Sequence, residues 1–429
     1  MKDGFKNLKE YGAGTEYGVL DEKEIMNVLE GVVKELPKAK RILLVPPDIT
    51  RRYSYAGPAT SYFYRELSRG ARVEIMPALG THRAMTREEQ ILLFGPDIPE
   101  EAYLYHDWRR DTVKIGTVPA EFISQVSGGR WTKAMEAETD RRLMDGTYDL
   151  VISLGQVVPH EVIGMANYTK NILVGLGGRE MINDSHLMGA VCGMERIIGN
   201  IDSPVRAVFD YAQDHFLKNV PLLYLLTVTG QEKEKTAVYG IFAGTSRHVF
   251  EEAGKLAMKR NIIYVPKPMK KVVAYLEPGE FSTAWVGNKS IYRTRMMIED
   301  EGELLVIAPG LRGFGENEEV DGLLRKYGYR GTEYTMDLVQ KGVFERTGMA
   351  PAHMIHSSSE GRFTITYAVD PEHISPEEMR QVGYEYMDVR EALARYPMDR
   401  LKEGFQVMED GEEIYVVKNP ALGLWKVGP

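Results

Sequence analysis

At 429 residues the chain is too long for one ordinary core, and 43% hydrophobic with 27% charged residues is the composition of a folded protein, so two domains are expected. The net charge of −9 excludes a protein that relies on a basic face to neutralise nucleic-acid phosphates. The single cysteine, Cys192, excludes an internal disulfide, a zinc ribbon and an iron–sulfur cage, so any bound transition metal would rest on imidazoles.

Met1 to Gly18 is polar and glycine-containing without an apolar signal region, and no stretch approaches the ~20 apolar residues of a membrane span. A cytoplasmic address is therefore expected. Arg41-Ile-Leu-Leu-Val45 reads as a buried strand ending in Pro46-Pro47-Asp48, followed by a helical stretch from Pro58 to Leu67. Arg72 to Leu79 reads as a second strand ending at Gly80-Thr81-His82-Arg83, and Thr86 starts a helix. Asp149 to Leu154 is a third strand, running into a loop with Pro159-His160. Ala237 to Phe242 is a strand ending in Gly244-Thr245-Ser246, with a helix from there to about Lys259. Polar residues thus recur just past strand ends, where open α/β sheets place ligands.

Ile262 to Lys271, with two prolines and three lysines, looks like a crossing between domains. A second series follows: strand Val272 to Tyr275, helical Ser282 to Met297, strand Leu304 to Ala308, and helical patterns up to Tyr396. The strand-like tail Glu413 to Val417 is expected to return to the first domain. The expected architecture is α/β, with two α/β domains and mostly parallel sheets, one spanning 1–262 plus 410–429 and the other 263–409.

The densest segment runs from Gly155 to Gly199, where His160, Lys170 and His186 stand among eight glycines, including Gly177 and Gly178. Glycine serves where backbone turns sharply or approaches a ligand. Each residue alone has an ordinary explanation as a surface or turn residue. Together, an imidazole, an amine and backbone amides suit an anionic ligand or a metal, and the residues alone leave that choice open. Asp48-Ile49-Thr50-Arg51 offers either an anion-binding guanidinium beside a carboxylate or a structural ion pair. His82 is either an acid/base group or a loop cap. His353 and His356 are three apart without a third ligand nearby and read as ordinary residues, and Gly310 to Gly315 is not a nucleotide fingerprint.

The order Asp48-x-Thr-Arg51, Gly-Thr-His82-Arg83, Pro-His160, Lys170 and Ser-His186, with 10 residues from His160 to Lys170 and 16 from Lys170 to His186, resembles the nickel-pincer lactate racemase family. The resemblance implies racemisation or epimerisation of a 2-hydroxy acid by hydride transfer to a pyridinium-derived nickel-pincer mononucleotide, in a cleft between the domains. It implies that 1–262 plus 410–429 binds this cofactor, with Lys170 as its tether and His186 as the nickel ligand. His82 and His160 become the acid/base pair, Asp48 and Arg51 contact cofactor and substrate, and Lys289 holds substrate. Gly177, Gly178 and Tyr168 are expected around the cofactor. Cofactor-making enzymes are implied as loading partners, with neither nucleic acid nor membrane as a partner. Two departures stand out: Asn167-Tyr168-Thr169 replaces a glycine pair before the tether, and Val286 replaces a glutamine three residues before Lys289. The second turns the expectation from lactate towards another 2-hydroxy acid or a sugar acid. Competing readings are a binding homologue without turnover and a metal-independent lysine Schiff-base enzyme.

Overall fold

The computed structural model describes residues 8–232, 235–345, 347–421 and 423–428 and divides into two compact units, 1–192 with 196–261, and 193–195 with 262–429. The first unit is built on six strands: β1 (Tyr11–Gly14), β2 (Arg41–Val45), β3 (Arg72–Ile75), β4 (Leu150–Gln156), β5 (Leu222–Glu232) and β6 (Lys235–Gly244), in the order β1-β6-β5-β4-β2-β3. Strands β5, β4, β2 and β3 run parallel, and β6 and β1 close one edge antiparallel. The apolar run of β2 is buried from Ile42 to Val45, as a strand covered on both faces requires.

Helices flank this sheet for local reasons. Helix α1 (Glu22–Glu35) starts at a capping box, in which Asp21 and Glu24 bond each other's backbone N–H at 2.8 Å. It buries Ile25, Val28, Leu29 and Val32, one face at helical spacing. Helix α2 is Ala56–Leu67, and α3 (Arg87–Phe94) begins at a second capping box, Thr86 with Glu89. Glu89 also takes the Arg83 guanidinium at 2.6 Å, which fixes the end of the Gly80–Arg83 loop. Four further helices of the unit bear on the site: α4 (Thr169–Leu173), α5 (Arg179–Cys192), α6 (Pro204–Phe216) and α7 (Arg247–Asn261).

The second unit is also α/β. Its strands are β7 (Met269–Tyr275), β8 (Ile298–Ile307), β9 (Thr364–Val369), β10 (Glu385–Asp388), β11 (Gly404–Val407) and β12 (Glu413–Val417), in the order β10-β9-β8-β7-β12-β11. All neighbours are parallel except β11 with β12. The mixed α/β class with parallel-rich sheets matches the expectation from sequence.

Three features differ from that expectation. The tail does not return to the first domain: β12 pairs with β7 and β11, inside the second unit. The physical reason is burial on both faces, since Ile414 and Val416 join one core cluster and Tyr415 and Val417 the other. The crossing at 262–271 is itself structured, with Ile262–Val265 pairing in parallel with Leu424–Val427. The helical stretch expected over Ser282 to Met297 is two short helices, α8 (Ala284–Gly287) and α9 (Lys289–Thr294). They meet at buried Asn288, whose amide accepts from Tyr367 Oη at 2.7 Å and donates to Tyr384 Oη at 3.2 Å. Among the described residues no helix is long and apolar enough to cross a membrane.

Candidate active site

The ends of β2, β3 and β4 place the predicted residues of the first unit together. Beyond β2, Asp48 N-caps the short 3-10 turn Ile49–Ser54, accepting from Thr50 N at 3.1 Å and Thr50 Oγ1 at 2.5 Å. Beyond β3, exposed His82 sets Nδ1 2.6 Å from Asp48 Oδ2. The carboxylate can only accept, so Nδ1 donates the proton of this bond and Nε2 points away from the carboxylate. Asp48 is thus a carboxylate that orients His82. Burial raises its pKa, but the bonds from His82 and Thr50 outweigh this and hold it below the usual carboxylate value.

Beyond β4, Pro159–His160 pairs with Gly164–Met165 in a minimal antiparallel hairpin. Gly164 has φ +93°, and a Cβ there would lie 2.2 Å from the Asn200 carbonyl, so only glycine fits. Buried His160 accepts the Val162 N–H on Nδ1 at 3.1 Å, which puts the proton of its neutral ring on Nε2. Burial pushes the His160 pKa well down, Glu161 opposes this, and the positive charges of Lys170 and Arg51 add to it.

The chain then turns into α4, which carries Lys170. Asn171 on this helix donates to Val45 O at 3.0 Å and Ser153 Oγ at 2.9 Å, tying it to the ends of β2 and β4. Gly80 N bonds Gly175 O at 2.9 Å, so the His82 loop and the loop after Lys170 are joined. Burial, helped by Arg51 and Arg206 and opposed by Glu161 and Asp48, lowers the Lys170 pKa to about 8. On α5, His186 donates Nδ1–H to Ile182 O at 2.6 Å, leaving the Nε2 lone pair as a ligand atom. Burial and the Lys170 charge bring its pKa to about 4, so the ring is neutral at pH 7, as a metal donor must be. Among the described residues no group of three or more His, Cys, Asp or Glu side chains could hold a metal ion.

Asp48, Arg51, His82, His160, Lys170 and His186 are therefore one linked set of contacts and charges. Lys289 belongs to the second unit, at the start of α9. Three expectations change. Tyr168 does not line a pocket: it is 1% exposed, between Tyr224 at 4.4 Å and Phe250 at 5.1 Å ring to ring. Gly177 and Gly178 do not leave an open amide cradle before α5. Glu138 fills it, accepting Glu180 N at 3.0 Å and Met181 N at 3.4 Å, and a Cβ on Gly178 would lie 2.3 Å from its carboxylate. Gly177 O instead faces His106 Nε2 at 3.2 Å.

His106 and Arg206 had not been singled out from the sequence. Fully buried His106 has Nδ1 2.8 Å from Asp140 Oδ2 and Nε2 facing Gly177 O. Both partners can only accept, so both bonds form only with a doubly protonated ring. Burial raises the Asp140 pKa, but Arg142 and His106 outweigh it and bring it to about 2. His106→Ala is expected to cost about 3 kcal/mol in urea unfolding, because it removes a buried partner of Asp140; a loss below about 1 kcal/mol would show the bonds to be dispensable. The signal for Arg206 was legible: it interrupts the apolar face Val205, Val208, Phe209 and Ala212 of α6. His353 and His356, read as ordinary residues, are both buried on helix Ala350–His356, where the His353 ring lies tilted against Trp285 at 4.2 Å.

Fold and site together define an α/β protein that presents a carboxylate-oriented histidine beyond a parallel strand, with a lysine and a neutral histidine on the helices of the same unit. Residues 21–197 match the lactate racemase N-terminal domain, in line with the lactate racemase resemblance read from the sequence. Two curated relatives are lactate racemases, from Thermoanaerobacterium thermosaccharolyticum (27% identical over 48% of this chain and 45% of that protein) and Lactiplantibacillus plantarum (26% over 49% and 47%). The matches thus span about half the length of these relatives. Among solved structures, a Thermotoga maritima protein superposes with a TM-score of 0.77 at 22% identity, over 96% of this chain and 100% of that one. The lactate racemase apoprotein from T. thermosaccharolyticum superposes with a TM-score of 0.70 at 18% identity, over 99% and 92%. These two structures share the fold.

Proposed function

We propose that this protein is a racemase or epimerase of a 2-hydroxy acid that works with a pyridinium-derived nickel-pincer mononucleotide attached to Lys170, loaded in the cytoplasm by cofactor-making enzymes. The observation that carries this reading is the convergence of the low-pKa Lys170 amine, the neutral His186 donor and the Asp48–His82 pair in one unit. The residues fit such a group. Lys170 offers the amine for attachment and His186 Nε2 the metal donor. When bound, the group supplies a reversible hydride acceptor, which avoids a carbanion beside an already anionic carboxylate.

The chain itself handles protons and charge. His82, fixed on Asp48 through Nδ1, aims Nε2 to take the hydroxyl proton of the substrate. His160 offers Nε2–H as a hydrogen bond to the carbonyl oxygen of the 2-keto acid formed when the α-hydrogen leaves. Arg51 is the carboxylate-holding cation of the first unit, and Lys289 the further one that the resemblance implies. Val286 supplies no side-chain hydrogen bond and packs as a part-buried apolar group, which turns the proposal from lactate towards a different or larger 2-hydroxy acid or a sugar acid. Racemisation and epimerisation assays of loaded protein on lactate, malate, phenyllactate and gluconate are expected to favour one of the last three; high activity on lactate alone would contradict this.

A Schiff-base reading is favoured by the same low-pKa lysine. Borohydride trapping of a keto acid on Lys170, in metal-free protein that turns over its substrate, would support it against the nickel reading.

A further inference from the structure

We infer that Arg206 is the positioning residue for Lys170, its buried guanidinium holding the Met165–Thr169 turn in the left-handed conformation from which the lysine helix starts. This rests on the reading of Lys170 as a reactive amine. Asn167 and Tyr168 stand one after the other at φ 64° and 57°. Asparagine tolerates that region, but Tyr168 combines it with ψ −128°, which an L side chain disfavours strongly. Such a backbone persists only where its surroundings over-determine it.

Arg206 supplies much of that constraint. It is fully buried, donates from Nη2 to Met165 O at 2.6 Å and Asn167 O at 3.2 Å, and donates from Nη1 to Thr169 Oγ1. A planar fork of donors suits three acceptors spread over one turn, and no other side chain offers it. The Asn167 carbonyl that it holds also accepts the Lys170 N–H at 3.3 Å, and the Tyr168 carbonyl accepts from Asn171 N at 3.0 Å. The clamped turn therefore forms the first turn of α4, one residue from the amine-bearing side chain.

Neighbouring groups complete the grip. Asn167 Oδ1 accepts Tyr168 N at 2.7 Å, and Gln213 bonds both Tyr168 Oη and Tyr224 Oη. The Phe250 ring lies 4.3 Å from the guanidinium carbon, and Asp210, bonded to Thr169 Oγ1 at 3.3 Å, supplies counter-charge. A buried guanidinium is costly to desolvate, and an apolar residue would suit this face of α6 better for packing alone. Its charge also adds to the lowering of the Lys170 pKa. The arrangement gives a non-glycine turn the shape that glycine would adopt without strain.

The test is peptide-resolved acetylation of unloaded protein with acetic anhydride at pH 8, comparing Lys170 with the exposed Lys34 and with thermal melts in parallel. Arg206→Lys keeps the charge but loses the fork, and is expected to slow Lys170 acetylation about tenfold or more while Lys34 is unchanged, the scale of effect expected from a small misplacement. Thr169→Val removes one acceptor and is expected to act in the same direction, more weakly, so the test stands even if the Arg206 variant fails to fold. Lys170 rates within about twofold of the unsubstituted protein in a cooperatively folded Arg206→Lys variant would overturn the inference, as would no change in Thr169→Val. This readout needs neither nickel nor turnover. Absence of any cofactor adduct on the unsubstituted protein would defeat the proposed function and leave the clamp standing.

Discussion

Lys170 is expected to acylate with a rate that reaches half its maximum near pH 8, not near the 10.5 of an ordinary lysine. The sign follows from its surroundings. Burial and the charges of Arg51 and Arg206 destabilise the ammonium, so the neutral amine appears at lower pH. A shift from 10.5 to about 8 makes the neutral fraction at pH 7 about 300-fold larger than in a solvated lysine. Competitive labelling across pH 6–11, read at the peptide containing Lys170, checks this. A midpoint near 10.5 would mean the amine is an ordinary surface group, and the attachment role would lose its chemical basis.

The second large effect separates the two histidines. His82→Ala is expected to reduce turnover by about 10²–10⁴-fold, the usual worth of a general base. Asp48→Asn is expected to cost a comparable factor by losing the carboxylate that fixes the ring tautomer, as in hydrolase triads. His160→Gln, by contrast, is expected to stay within about tenfold of the unsubstituted enzyme, because a glutamine amide can replace the Nε2–H donor. His160→Ala is expected to lose more. Steady-state assays on loaded protein decide it: equal collapse of His82→Ala and His160→Gln would show His160 to be a second base.

Much of the framework was legible in the sequence, because it is written in local pattern. The Ile42 to Val45 run is apolar on both faces, and the Thr86–Glu89 box marks its helix start with residues three apart. Asp48, His82 and His160 were legible as residues beyond strand ends, and Lys170 and His186 as members of the glycine-rich segment that follows, in a recognisable order. What they do to one another was not. His82 meets Asp48 across 34 residues, and His106 reaches Gly177 across 71, distances over which a single sequence carries no pattern. The glycines misled for a related reason. Gly178 does allow a close approach to the start of α5, but the approaching group is the chain's own Glu138. Tyr168 misled because an aromatic residue beside a reactive lysine reads as pocket lining, whereas its positive φ turns the ring into the core among Tyr224 and Phe250. The tail misled because strand character in Glu413 to Val417 says nothing about which sheet receives it; burial on both faces decides that.

What Lys170 carries is the most direct question to put to the protein. Protein coexpressed with the cofactor-making enzymes is digested and analysed by peptide mass spectrometry, with nickel measured on the intact sample and a lactate racemase loaded in parallel. An adduct on the Lys170 peptide with near-stoichiometric nickel is expected, with the adduct lost in Lys170→Ala and the nickel lost in His186→Ala. Neither adduct nor nickel, while the parallel racemase is loaded, would contradict the account.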